Sequence, residues 1–198
     1  AGSSLTTFTD ELTDRHLGFI WDKVPTPQFQ SINPLLIILL APVFGLFWTA
    51  LARRGRSMGQ PFKIGTGLIF VGLGYVVMFF AAQRLNSGIP KVSMLYICGC
   101  YFLHTVGELM LSPTGLAYVS KTAPSRHMSS LMGIWFISSF IAGLAAGKVA
   151  ALVDPIIEGK MPLPWHFGGQ ADFFLLFVVS SCFAGVLILV AGPLLVRL

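Results

Sequence analysis

The sequence predicts an all-α protein, a polytopic bundle of transmembrane helices. Three observations carry this. First, 55% of its 198 residues are hydrophobic and 11% charged, with a mean hydropathy of +0.78, whereas a soluble domain carries about 25% charged residues. Second, the apolar residues gather into five runs, each long enough as a helix to cross a bilayer. Third, the loops between the runs alternate in basicity, as the positive-inside rule expects of consecutive spans.

The elements follow in order. Ala1 to about Phe8 reads as the last turns of a spanning helix that starts before this chain; no charged n-region or cleavage site marks it as a signal peptide. Residues 9–30 are polar and aromatic, with Trp21, Pro25 and Pro27, and suit an interfacial segment and loop. The first full span covers about 32–52 and opens on Asn33-Pro34, where proline is tolerated in a first turn. Pro42 inside it predicts a kink. A basic loop with Arg53, Arg54, Arg56 and Lys63 follows. The second span, about 64–83, carries Gly65, Gly67, Gly72 and Gly74, which a membrane helix accommodates.

The third span, about 92–120, holds Glu108 and is expected to break at Ser112-Pro113. Lys121, Arg126 and His127 form the next basic loop, and Pro124 stops the helix. The fourth span, about 129–153, contains Gly143-Leu144-Ala145-Ala146-Gly147, a small-residue face that lets helices approach closely. A longer polar loop leads to the last span, about 173–196, which Arg197 follows. The loops near residues 55 and 124 are therefore expected in the cytoplasm, and those near 20, 88 and 163 outside.

Composition also removes function classes. The net charge of +5 sits in short loops and does not form the basic, aromatic-laced stripe of a nucleic-acid reader. Cys98, Cys100 and Cys182 lie inside apolar runs without the His or Cys companions of a zinc site. No G-x-x-x-x-G-K-[ST] loop for ATP is present, nor a G-x-S-x-G or H-E-x-x-H hydrolase signature. The protein is not read as an enzyme, and no cofactor is expected.

Glu108 is the candidate for chemistry. A charge at that depth costs at least about 2.5 kcal/mol even on lenient insertion scales, so it must face a protein interior or wet cavity and have a partner. His104 and Ser112, four residues to either side, share its helical face. Imidazole, carboxylate and hydroxyl together can bind a cation or pass a proton; the alternatives are a packing histidine, a static salt bridge and a hydroxyl bonded back to its own helix. Pro113 frees a carbonyl one turn on, as in the broken helices of transporter midplane sites, or simply kinks the helix. Asn33 caps its helix or points at a ligand. Trp135 and Phe136 are packing or lipid-facing aromatics unless they line a site, and Lys148 snorkels to an interface.

Three stretches resemble a known family. Gln30-Ser31-Ile32-Asn33-Pro34-Leu35 with Leu40-Ala41-Pro42-Val43-Phe44 resembles the eighth-helix signature of proton-dependent oligopeptide transporters. Gly107-Glu108-Leu109-Met110-Leu111-Ser112-Pro113-Thr114-Gly115-Leu116 resembles their tenth-helix signature, and Met132-Gly133-Ile134-Trp135-Phe136 the start of their eleventh. The resemblance implies the C-terminal six-helix half of a major facilitator fold, from the end of helix seven to helix twelve. It implies that Glu108 receives a peptide's N-terminal ammonium, Asn33 hydrogen-bonds the peptide, and Ser112 lines the pocket. Trp135, Phe136 and Ile37 would shape its side-chain walls. Asp10, in Phe8-Thr9-Asp10, is matched to an acidic residue that pairs with a first-half arginine as an external gate.

The expected function is thus proton-coupled symport of di- and tripeptides across the cell's inner membrane by alternating access, driven by the proton gradient. Expected partners are the peptide, protons, the lipid bilayer and the N-terminal helical bundle of the same protein; no nucleic acid is expected. The E-x-x-E-R proton-coupling motif of the family's first half is not in this chain. The alternatives are a same-family transporter of a non-peptide substrate and a non-transporting membrane subunit.

Overall fold

The computed structural model describes residues 2–16, 18, 22–55, 58–122 and 124–195, and for 2–3, 112–122, 125 and 193–195 the backbone alone. Trp21, Arg56 and Arg197 lie outside the described residues, as do the side chains of Ser112, Pro113 and Lys121. Helix α1 is Gly2–Leu12 and runs into strand β1, Thr13–Asp14. A short α2, Thr26–Gln30, leads through Ser31 into α3, Ile32–Arg53. Helix α4 is Gln60–Asn86, strand β2 is Val92–Ser93, and α5 is Leu95–Thr122. Helix α6 is Met128–Ala150, α7 is Val153–Ile157, and α8 is Gln170–Leu195.

Among the described residues, four stretches are long and apolar enough to cross a membrane: Thr26–Arg53, Gln60–Asn86, Met128–Ile157 and Gln170–Gly192. Helix α5 adds an apolar stretch over Leu95–Leu111. The break expected at Ser112-Pro113 does not occur, and the helix that contains Pro42 is likewise continuous. Helix α3 runs through Pro42 and α5 runs past position 113, each as one element; a proline costs one backbone bond, which a long helix held by its remaining bonds survives.

Helix α4 is the axis of the bundle, packed between α5 and α8. Its glycines explain how. A Cβ on Gly65 would lie 2.8 Å from the Gly185 carbonyl oxygen of α8, and one on Gly67 would lie 2.9 Å from the Gly107 oxygen of α5. One turn pair further, Gly72 meets Cys182 and Gly74 meets His104. Residues seven apart return to nearly the same side of a helix. Gly65 and Gly72 therefore form the seam with α8, and Gly67 and Gly74 the seam with α5. In lipid, where apolar side chains gain little by burial, such close backbone approach is a main source of helix association.

At one end of this core Phe8 of α1 meets Phe174 of α8, ring centroids 5.5 Å apart, and Tyr75 of α4 stacks on Phe177 at 4.7 Å. Thr13 and Asp14 pair with Val92 and Ser93 in a two-residue parallel ladder that ties the end of α1 to the approach of α5. Lys63 of α4 lies 4.3 Å above the Trp48 ring of α3 and fastens the α3–α4 hairpin. Asp172, buried in the first turn of α8, accepts the Phe167 and Gly168 backbone N–H groups at 2.7 and 3.1 Å. Asn86 at the end of α4 donates to the carbonyls of the same two residues.

Helices α3 and α6 flank this core and bury no residue. The small-residue face of α6 behaves differently from the expectation: a Cβ on Gly143 or Gly147 would meet nothing within 4 Å. Small residues permit close approach, but the described residues supply no helix to approach.

Candidate functional site

Glu108 takes its place from the α4–α5 seam. Gly107, His104 and Cys100 turn into α4, so Glu108 falls on an exposed side of α5 toward α3. There Asn33, half-buried in the first turn of α3, donates a hydrogen bond from Nδ2 to Glu108 Oε2 at 2.8 Å. Residues 75 positions apart in the chain form this pair. The length suits a charge-assisted bond to a carboxylate. Among the described residues no Lys, Arg or His stands within ion-pair distance of Glu108. Among the described residues nothing donates to Glu108 Oε1 or Asn33 Oδ1, which can accept from an incoming donor.

One local reading is corrected here, and for His104 the packing alternative holds. Asn33 does not cap α3: Ser31 is the N-cap and makes no side-chain cap bond. The Asn33 amide reaches sideways to another helix, which spacing along one chain cannot reveal. His104 does not join Glu108 in the exposed pair. Its ring lies 4.6 Å from that of Tyr75 and its Nε2 3.7 Å from Cys100 Sγ, inside the seam with α4. Four residues advance a helix by 40° more than a full turn; here that separates a packed residue from an exposed one.

Ile37, one turn beyond Asn33, is half-buried on α3. Trp135 is half-buried and Phe136 exposed on α6, which also packs against α5. The Trp135 carbonyl accepts the hydroxyls of Ser138 and Ser139. No described contact joins Trp135 or Phe136 to Glu108. The Ser112 side chain lies outside the described residues.

Asp10 belongs to a separate cluster at the end of α1. Its Oδ1 accepts Arg15 Nη2 at 2.6 Å and the Thr26 hydroxyl at 2.9 Å. The Arg15 side chain is 6% exposed and that of Asp10 59%. Arg15 Nη1 also donates to the Val24 carbonyl and the Thr26 hydroxyl. Gln30 donates to Thr6, closing α2 onto α1. The Thr26 hydrogen bond, followed by the charges of Arg15 and Lys23, holds the Asp10 carboxyl below the usual carboxylate range. The sequence reading missed Arg15 as the centre of this cluster; its signal was an arginine one residue after Asp14 and five after Asp10 in a segment of acids and prolines.

A bundle of bilayer-length helices with an ionisable residue held beside its packed core is the build of a multi-pass membrane protein. The POT family profile matches residues 1–163, and the chain belongs to that family. It is 42% identical over 153 residues to the peptide transporter YePEPT of Yersinia enterocolitica, covering 76% of this chain and 29% of that protein. It is 34% identical over 173 residues to the dipeptide and tripeptide permease A of Erwinia pyrifoliae, covering 86% of this chain and 34% of that one. A crystal structure of a POT family transporter with a thioalcohol-conjugated peptide superposes with a TM-score of 0.81 at 28% identity, over 97% of this chain and 37% of that one. A POT family transporter with 5-aminolevulinic acid gives the same values. The chain spans about a third of the length of the relatives it matches.

Proposed function

We propose that the complete protein carries di- and tripeptides across the cytoplasmic membrane together with protons, and that Glu108 receives the substrate's ammonium. The observation that carries this is the Asn33–Glu108 hydrogen bond. It poses a carboxylate that has no described cation partner and keeps an amide oxygen beside it. An ammonium is costly to desolvate unless a carboxylate and further acceptors meet it. The named ligands of the solved relatives fit such a pair: 5-aminolevulinic acid carries a primary amine. Asn33 would orient the carboxylate and share the peptide, with Ile37, Trp135, Phe136 and Ser112 as further walls. Asp10 would act at the external gate, where Arg15 and Thr26 already preset its carboxylate.

Coupling to the proton gradient and alternating access rest on family membership. The uncovered sides of α3 and α6 suit an N-terminal bundle rocking against this one. The test is uptake of a labelled dipeptide by the full-length protein with Glu108→Gln or Asn33→Ala. Glu108→Gln is expected to abolish saturable uptake, and Asn33→Ala to raise KM about tenfold, as loss of one hydrogen bond to a charged group implies. Undiminished saturable uptake by Glu108→Gln would end the anchor role. Failure of unlabelled dipeptides to compete would point to a non-peptide substrate.

A further inference from the structure

We infer that the junction of α4 and α5 holds a seat for an anionic phospholipid with an uncharged polyol head, built from Arg84, Gln83, Ser87 and Tyr96 above an apolar track on α4. A cleft of about 550 Å³ opens where α4 ends and α5 begins, lined by Phe80, Gln83, Arg84, Ser87 and Tyr96. At about 100° per residue, Leu73, Phe80 and Arg84 fall on one side of α4, and Ser87 is its C-cap. The opposite side carries Tyr75, Met78 and Ala82, all buried in the bundle. The α5 and α8 seams occupy the two flanks between them. This outward side is therefore turned away from the core, and Leu73 and Phe80 are 42% and 56% exposed on it. In a membrane protein such a surface meets acyl chains.

Arg84 sits at the top of that track, two residues before the end of α4. It makes no hydrogen bond or ion pair to any described residue, and none of the described residues lining the cleft is an acid. A guanidinium at the headgroup level without a carboxylate selects a phosphate, with which it forms paired hydrogen bonds. The absence of a lining acid disfavours a head that brings its own ammonium, because that cation would find no partner. The Tyr96 phenol and the Gln83 amide suit the hydroxyls of a glycerol head. The Ser87 hydroxyl already donates to the Gln83 carbonyl and keeps its lone pairs to accept.

The experiment is native mass spectrometry of the full-length transporter titrated with phosphatidylglycerol, phosphatidylethanolamine and phosphatidylcholine. The wild-type protein is expected to retain phosphatidylglycerol preferentially. Arg84→Gln is expected to lower that preference about fivefold, the effect of one basic residue at an anionic surface. Lys160→Gln, whose ammonium is already paired with Glu158, is expected to leave it unchanged. Tyr96→Phe, which keeps the ring, is expected to give a smaller loss and carries the test if Arg84→Gln does not fold. An unchanged preference in the folded variants overturns the seat. Displacement of the lipid by glycerol 1-phosphate at equal concentration would also overturn it, since a bare anion site needs no apolar track.

Discussion

Gly107→Ala tests whether close helix approach places the carboxylate. A Cβ at Gly107 would lie 2.6 Å from the Gly67 oxygen, 2.9 Å from Val71 Cγ2 and 3.3 Å from the Val71 nitrogen. A carbon–oxygen contact takes about 3.3 Å, so the first is short by roughly 0.7 Å. The obstructing atoms include backbone, which cannot rotate aside. Helix α5 must then recede from α4 by about that amount or accept overpacking worth ~1–3 kcal/mol. Glu108 is the next residue and moves with it, against an Asn33 held on a different helix. A misplacement of 1 Å can cost about a hundredfold at a site, so roughly tenfold is expected in dipeptide KM. The comparison is Gly99→Ala on the same helix, where the nearest atom, Val77 Cγ1, is 3.7 Å away. That change is expected to stay within about 0.5 kcal/mol and leave uptake alone. Thermal unfolding of the full-length protein in detergent and uptake into proteoliposomes read both effects. Indistinguishable behaviour of the two variants would refute the claim that the Gly67–Gly107 contact sets the site.

Further outcomes follow from the Asp10–Arg15 cluster and the Asp172 turn. Arg15→Met should cost about 2 kcal/mol or more, because it strips several hydrogen bonds from a buried donor, and should speed proteolysis between residues 13 and 26; an unchanged digest would argue against Arg15 as the hub. The Asp10 carboxyl is depressed in the folded state, so its contribution is full above the usual carboxylate range and disappears as pH falls through the folded value. Unfolding measured from pH 6 downward, a range set by the ~3.9 of a free Asp, should lose part of its acid dependence in Asp10→Asn; an identical profile would show that Thr26 and Arg15 do not favour the charged form. Asp172→Asn replaces a carboxylate that accepts two backbone N–H groups by an amide with one acceptor oxygen, and should lower stability by ~1–3 kcal/mol. Faster hydrogen exchange at Phe167 and Gly168 is the readout, and unaltered exchange would sink the assignment.

The candidate pair shows how far a linear reading reaches. Glu108 was legible because an ionised group in an apolar run violates the composition around it. Asn33 was legible only through the family resemblance. Its own neighbourhood, at the start of a helix before proline, favoured a cap. The glycines of α4 were visible as residues but not as two seams, since their partners Gly107 and Gly185 lie on other helices. The Arg15 cluster and the β1–β2 ladder were not legible: both join short polar stretches that carry no periodicity.

By itself the sequence determined the membrane class, the order of the long apolar helices, and the residue whose charge demands an explanation. All of these depend on local properties: hydropathy summed over a window, and the cost of one carboxylate in hydrocarbon. Tertiary structure alone decided which side of each helix meets which neighbour. A uniformly apolar helix has no preferred side in lipid, so its rotation is set by contacts across helices. Here the backbone approach at Gly67–Gly107 and Gly65–Gly185 settles it, turning His104 inward and leaving Glu108 facing Asn33.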